Sequence, residues 1–542
     1  MPRSAFTSDA GLEPLDFAAI ALYVLVTLGI AVWFGRRQKN VEDYFVGGRR
    51  MPWFAVGLSI LGTLFSTLTY VGMPGETIKH GLGLLTGYAA VVANALVITL
   101  VWIPFYMRLR LTSAYEYLER RFSYGVRALG ASLFILLRMG WMSMVIFAAS
   151  MALDRVKGHD LACLPGPDIY WTIVLVGVLA ALYTSMGGIQ ALIWTDVLQC
   201  LLLLAGVLLT IGYVAFADGT GPIDWWRMAA RHAPRHTSPP FFSWDITVRV
   251  TIAFTLCNNF FWNICTHGSD QVVLQRYFST PSLRSARCSY LVNACVDVTM
   301  VSLLALVGFA LLTFYWKRPE LLPEGMTALN AADKLFPHFL GHELPAGCAG
   351  LIISAFLCDA MQTLEAGVNS ITAVATNDIL PRLWPRRRGR TSDLMFARLA
   401  VVAVTALVTA NSYAVAHLSQ TRGLTIIDMM PKFFNMFAGP LAAMFFAGMF
   451  LPRCTSRSVI PAAAAGLAIS VLWSWWRELF GTDYAPTIFL AIAVPCASTF
   501  LLAAFLGLFL ESGGPHPGRA FSWRSVVGRI PLPEPAPAEE RN

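Results

Sequence analysis

Charged residues are scarce in this chain: Asp, Glu, Lys and Arg make up 13% of its 542 residues, where a soluble globular protein carries roughly 25%. Mean hydropathy is +0.59, and a soluble multidomain enzyme of this length does not have that balance. The alternating ten-residue pattern of an outer-membrane barrel is missing too. The ten cysteines are scattered, several of them inside apolar runs, with no paired spacing for zinc or a disulfide framework. A cleavable signal is not expected, because Asp9, Glu13 and Asp16 precede the first apolar run where a signal peptide needs positive charge. No loop is long enough for a soluble catalytic or signalling domain. There is no His-Glu-x-x-His, His267 is the one histidine expected near a membrane midplane, and no repeated pore loop or ring of charge is visible. These absences argue against an intramembrane enzyme, a channel and a sensor with a cytoplasmic signalling domain. Nucleic acid is not an expected partner, since the net charge of +8 resides in short loops between apolar runs.

What is present is a succession of apolar runs of about 20 residues, the length that crosses a hydrocarbon core of roughly 30 Å as a helix. The expected fold is all-α and integral to the membrane, with about thirteen spans. The first six centre near Leu25, Leu61, Ala95, Met139, Leu179 and Leu203. The other seven centre near Phe254, Leu303, Thr363, Thr405, Ala442, Leu467 and Cys496. Basic residues collect in the odd-numbered loops: Arg36, Arg37, Lys39, Arg49 and Arg50; Arg108, Arg110, Arg120, Arg121 and Arg127; Arg276, Arg284 and Arg287; Arg382 to Arg390. The positive-inside rule then places the N-terminus outside and the C-terminus in the cytoplasm of a plasma (inner) membrane protein. The outer segment with Arg227, Arg231 and Arg235 is the exception. The Pro-, Gly- and Arg-rich tail after Glu511 is expected to be disordered.

Four segments resemble the sodium:solute symporter family, which includes sodium/glucose, proline, iodide, multivitamin and monocarboxylate transporters. They are Asp43-Tyr44-Phe45-Val46-Gly47-Gly48-Arg49; Gly187-Gly188-Ile189-Gln190-Ala191-Leu192-Ile193-Trp194-Thr195-Asp196; Asp270-Gln271-Val272-Val273-Leu274-Gln275-Arg276; and Met361-Gln362-Thr363-Leu364-Glu365-Ala366-Gly367 with Thr376-Asn377-Asp378. The resemblance implies two five-helix inverted repeats with flanking helices. On that reading 1–42 holds an extra first helix, 43–217 is the first repeat (spans two to six), and 218–452 is the second (spans seven to eleven). Residues 453–511 supply two C-terminal helices and 512–542 the tail. The implied activity is sodium-coupled import of a small organic solute by alternating access, with solute and ion near the midplane where the first helix of each repeat is broken. Na+ is the implied coupling ion. The solute and the bilayer are the implied partners, and the oligomeric state is open.

By the same resemblance, sodium would take carbonyls from Gly62 and Phe65, the Asp359 carbonyl, and the side chains of Gln362 and Thr363, with Asp196 behind accepting from the Thr363 hydroxyl. A hydroxyl bonded to its own preceding turn is the plainer role for Thr363, and a helix N-terminal charge the plainer one for Asp196. Two positions depart from the family. Gln362 stands where many members have a hydroxyl, and Asp359 where relatives keep a small residue. The departures leave open a proton-driven, uncoupled or vestigial porter of the same fold.

With the seventh span aligned on Asp270-Gln271, Asn263, Thr266 and His267 fall where sugar-transporting relatives contact solute, as does Thr69 in the second span. Anchoring the eleventh span on Gly439-Pro440 puts Lys432 where those relatives have a neutral glutamine. An ammonium has three donors and no acceptor, so Lys432 suits an organic anion better than a sugar or polyol. A pair with Asp428 one turn earlier is the alternative. The Gly-x-Pro-x-Glu sequence at Gly72 to Glu76 is similar to the anion-carrying branch. Arg138, Asp297, Asp359, Glu365, Asp428 and Lys432 are ionisable groups within spans, each costing roughly 2.5–3.5 kcal/mol to insert. They are candidates for function or for internal ion pairs. Glu365 is expected to point roughly 120° away from Asp359 around its helix.

Overall fold

The computed structural model describes residues 14–36, 47–65, 67–109, 111, 113–156, 168–232, 240–248, 250–322, 327–329, 332–345, 347–379, 390–422, 429, 431–482, 484–510 and 517–529. Every regular element among them is helical. Nine helical stretches among the described residues are long and apolar enough to cross a bilayer. They are Pro14–Phe34, Leu85–Leu109, Tyr124–Met151, Ile189–Asp218, Leu283–Lys317, Leu399–Ser419, Lys432–Phe450, Ser456–Ser474 and Ile488–Phe509. The other expected spans, the second, fifth, seventh and ninth, fall on helices that are short, interrupted or only partly described. Their physical character explains the first and third of these.

The second expected span is two helices, α2 (Trp53–Leu64) and α3 (Thr67–His80), following α1 (Pro14–Gly35). Between them Phe65 is extended, with φ −84° and ψ 122°. The seventh is also two helices, and they are numbered in chain order once the intervening elements are given. These are α4 (Leu85–Leu109), α5 (Tyr115–Arg121), α6 (Tyr124–Val156), α7 (Asp168–Asp218) and α8 (Pro222–His232). Then come α9 (Ile252–Ser269) and α10 (Gln271–Phe278), parted by Asp270 with φ −86° and ψ 118°. The two breaks have nearly the same backbone conformation. The side chain of Asp270 makes the second one, because it ends α9 and caps α10 by accepting from the Val272 N–H at 2.9 Å. Asn258, Asn259, Asn263, Thr266 and His267 also make α9 too polar to stand out as an apolar run.

A helix of 51 residues such as α7 would be roughly 77 Å long if straight, more than twice the hydrocarbon core of about 30 Å. It folds back instead. Tyr170 near its start stacks on Tyr413 at 4.8 Å, Gln190 donates to the Gly47 carbonyl at 3.1 Å, and Asp218 at its end pairs with Arg318. Gly47 belongs to a face of the molecule that also carries Arg49, Ser113, Arg127 and Asp378, joined by hydrogen bonds or ion pairs. This is called the basic face. Tyr413 lies far along α14 (Arg390–Arg422), and Arg318 directly follows α11 (Leu283–Lys317), so both ends of α7 sit on the opposite face.

Helix α13 (Cys348–Val374), carrying the fourth motif, packs on α7, on α1 and on α2. Its first turn is capped from α1: the Asp16 carboxylate accepts from the N–H groups of Gly347 at 2.8 Å and Gly350 at 2.6 Å. Gly350 must be glycine here, since a Cβ would stand 2.3 Å from the Asp16 Cα.

Three expectations about charge and order need correction. Arg276 and Arg121, counted as loop charges, are both 0% exposed. Arg276 lies inside α10, and Arg121 donates to the Gly448 and Leu451 carbonyls at 2.9 Å each. The tail is ordered at 517–529, where Trp523 donates to the Val101 carbonyl at 3.0 Å and Arg519 to that of Pro452 at 3.1 Å. Indole and aliphatic surface buried on α4 outweighs the tail's polar composition.

Candidate functional site

Helix α2, the middle of α7 and α10 come together around Asp196. This carboxylate is fully buried. Its Oδ2 accepts from the Ser59 hydroxyl on α2 and from Arg276 Nη2 at 3.0 Å, and Arg276 Nε donates to Ser59 Oγ at 2.7 Å. Glu365 on α13, 1% exposed, lies within electrostatic reach of the same guanidinium. Asp196 is therefore held by an arginine and a serine that the sequence reading did not pair with it. The expected bond from Thr363 to Asp196 is not made. Thr363 is 1% exposed, and its hydroxyl has no hydrogen-bond partner among the described residues, nor does it bond back to its own preceding turn. A buried hydroxyl left unpaired costs about 1–3 kcal/mol, and a cation would accept its lone pairs. Gly62 is buried and Phe65 is 3% exposed with its backbone in the break. The side chains of Asp359 and Gln362 lie outside the described residues. Farther along α13, buried Asn369 and Thr372 also carry polar side-chain atoms with no partner among the described residues.

On the other side of α9, Arg138 on α6 binds Asp270 through both carboxylate oxygens, with Nε at 3.3 Å from Oδ1, and stands over the Trp141 ring at 4.7 Å. The buried Arg138 is thus an internal ion pair tied to the α9/α10 break. Trp141 in turn stacks with Phe434 and tilts against Trp262. Asn263 donates to the Asn259 carbonyl at 3.0 Å, and Asn94 on α4 donates to Asn259 Oδ1 at 3.2 Å. Thr266 bonds back to the Trp262 carbonyl at 2.6 Å. His267 is fully buried, with Nδ1 at 2.7 Å from the Tyr277 hydroxyl and its ring edge-on to Tyr290, while Nε2 has no partner among the described residues. Thr69 is partly exposed on α3, and Asp297 is partly exposed in the middle of α11.

Lys432 departs from its expected place. Its ammonium pairs with Glu478, in the short helix Trp476–Phe480, and sits 4.9 Å from the centre of the Trp475 ring. Glu478 follows α16 (Ser456–Ser474), reached through α15 (Met436–Phe450), and Ser456 contacts Ser123 on the basic face at 2.8 Å. Lys432 therefore lies towards the opposite face with an acidic neighbour, not at the midplane. The pairing with Asp428 falls outside the described residues. Among the missed residues, Ser59 carried no signal at all. Asp270 and Arg276 stood in plain view within a quoted motif, and matching opposite charges among the motifs would have suggested them.

Broken helices around a buried ion pair and an unsatisfied hydroxyl are the architecture of an ion-coupled membrane transporter. The chain belongs to the sodium:solute symporter family, whose model matches residues 44–466. It is 30% identical over 468 residues to the sodium/sialic acid symporter NanT of Aliivibrio fischeri, covering 85% of this chain and 87% of that one. It is equally 30% identical, over 482 residues, to the human sodium/iodide cotransporter, covering 87% of this chain and 71% of that one. The solved structure of a substrate-bound, outward-open Na+-coupled sialic acid symporter matches with a TM-score of 0.79 at 27% identity, over 92% of this chain and 99% of that one. The nucleobase-cation-symport transporter Mhp1 shares the fold, with a TM-score of 0.52 at 13% identity. The protein is a multi-pass membrane transporter and not an enzyme.

Proposed function

We propose that this protein is a sodium-coupled symporter that imports a small polar organic solute by alternating access. The proposed architecture is thirteen spans, with inverted repeats over 43–217 and 218–452, the N-terminus outside and the basic face towards the cytoplasm of an inner membrane. Sodium would be held by the carbonyls of Gly62, Phe65 and Asp359, by the Thr363 hydroxyl and by Gln362. The observation that supports this most directly is the buried Thr363 hydroxyl with no partner among the described residues, on a helix packed against the broken α2. Sodium is a hard cation that takes carbonyl and hydroxyl oxygens, which unwound helices supply. Asp196 then acts behind the ion, and its charge is shared with Arg276 before any ion arrives.

The Thr363→Val variant keeps shape and removes the oxygen. In proteoliposomes with an inward sodium gradient, the sodium concentration for half-maximal uptake should rise at least tenfold, with uptake at saturating sodium much less affected. An unchanged sodium dependence would exclude Thr363 as a ligand. Asp196→Asn is a poorer test, because it strands the Arg276 charge in the interior. A proton-driven or uncoupled porter is the second reading, favoured by a carboxylate at Asp359 beside Gln362. It predicts uptake that follows an imposed pH gradient, or no gradient, and stays indifferent to sodium.

A further inference from the structure

Asp297 is the fifteenth residue of the 35-residue helix α11, and its surroundings differ from those of the ion-paired charges already described. Arg138, Asp196, Arg276 and Lys432 each have an oppositely charged partner. Asp297 has no hydrogen bond and no ion pair among the described residues; its electrostatic neighbours are two phenols, Tyr88 and Tyr290. The exposed stripe of α11 runs through Leu291, Cys295, Thr299 and Ser302. At 100° per residue, Asp297 points roughly 150° away from that stripe, into the protein. Its neighbours on that inner face are closed off, with Met300 1% and Val301 and Leu304 0% exposed, yet Asp297 itself remains partly exposed. An inward-facing residue that is still accessible lines an internal space.

The level of that space can be read from two close approaches. Gly57 on α2 lies against Ser289 and Val292, and Gly308 lies against Pro74 and Thr77 on α3. The two chains thus run side by side in the same direction, and five residues beyond Val292 brings Asp297 level with Gly62 to Phe65, the break. The walls there are rich in acceptors. The break supplies backbone carbonyls and Tyr88 a phenol oxygen; Asn94, on the same helix as Tyr88 and 1% exposed, has a side-chain Oδ1 with no partner among the described residues. Of the cations beside the breaks, Arg138 and Arg276 are each already paired with a carboxylate.

The geometry points to Asp297 as the group that receives a cationic nitrogen of the transported solute, making the solute an ammonium-bearing compound, such as an amino acid or amino sugar, and not a simple anion. This inference rests on the proposal of sodium-coupled solute import and specifies its substrate. An ammonium brings only donors to a wall of acceptors, and its charge offsets a carboxylate that is otherwise costly at membrane depth. An organic anion would face Asp297 at close range, and Arg138 and Arg276 are each already paired with a carboxylate. The named relatives carry sialic acid, iodide and monocarboxylates, so charge at this one position would set this chain apart from them.

Matched pairs that differ only at the charged group test the idea on the purified full-length protein in sodium chloride: alanine against lactate, and glucosamine against glucose. Thermal stabilisation in detergent reads binding. The ammonium member of at least one pair should bind at least tenfold more tightly, Asp297→Asn should remove that advantage, and Asp297→Glu should restore part of it. Tighter binding of the lactate or glucose type of partner, or amine binding that Asp297→Asn leaves unchanged, would overturn the proposal. A shift of the sodium titration itself in Asp297→Asn, with no change in the preference between pair members, would also overturn it by making Asp297 an ion ligand. The import reading fails separately, if the bound solute is not accumulated under any ion gradient.

Discussion

At the scale of single residues, the ion pairs are where sequence and structure part company most clearly. The charges of Arg138, Asp196, Asp270 and Arg276 are all visible in the chain, but which carboxylate meets which guanidinium depends on contacts between residues 80 to 132 positions apart. No periodicity encodes that. Arg138 and Asp270 give a measurable consequence. Both are nearly inaccessible, at 1% and 6% exposed, and removing one charge strands the other at a cost of roughly 3–5 kcal/mol. Asp270→Asn keeps an acceptor for the Val272 N–H, so the cap survives and the loss of charge alone is measured. Its melting temperature should fall clearly, and Arg138→Gln in the same chain should recover most of the loss. If the double variant is no more stable than Asp270→Asn, the pair is not what holds the break. Lys432 illustrates the reverse error. Its position in a motif suggested the solute cavity, and a glutamate 46 residues later in the chain claims it instead.

Among helices, the apolar ones were legible and the functional ones were less so, for one physical reason. A continuous helix satisfies its own backbone and can be wholly apolar. A broken helix is shorter on each side of its break, and α9 carries Asn, Thr and His where Leu would give a clear signal. Hence α9 fails a simple hydropathy criterion while α11 passes easily. The span over α2 and α3 carries the breakers Gly57, Gly62, Gly72, Pro74 and Gly75, although glycine content alone does not say which glycines matter. Gly57 does: a Cβ there would stand 2.6 Å from the Ser289 carbonyl oxygen and 2.8 Å from Val292 Cβ, whereas nothing lies within 4 Å of the same atom at Gly72. Gly57→Ala should therefore destabilise the protein by about 1–3 kcal/mol through overpacking. Gly72→Ala should be neutral or mildly stabilising, by up to about 1 kcal/mol from helix propensity. Thermal melts of the two variants side by side decide it, and equal losses would mean that α2 and α11 do not touch as described.

Over the whole molecule, composition alone was enough to specify an all-helical membrane protein, and the family motifs extended that to a fold. Topology rests on charge, and the structure changes which charges count. With Arg121 and Arg276 buried, the rule leans on Arg49, Arg127, Arg284 and Arg287. The one exception also acquires a cause: Arg227 and Arg231 lie exposed on α8, whose other side buries Trp225, so this is an amphipathic surface helix and not a plain loop. A cysteine at Arg231 in a cysteine-free background should react with an impermeant thiol reagent on intact cells, and one at Arg388 should react only after lysis. The opposite pattern would invert the orientation.

The cap that Asp16 places on Gly347 and Gly350 ties the first turn of α13 to a helix whose other sides meet lipid, with Leu22 63% and Leu25 68% exposed. A helix with an apolar length fixed by sequence tilts to match the bilayer around it. When α1 tilts, the carboxylate at its first turn moves with it and draws on the start of the helix that carries Thr363. Bilayer thickness would thus become an input to the geometry of the proposed ion site, delivered through two backbone hydrogen bonds.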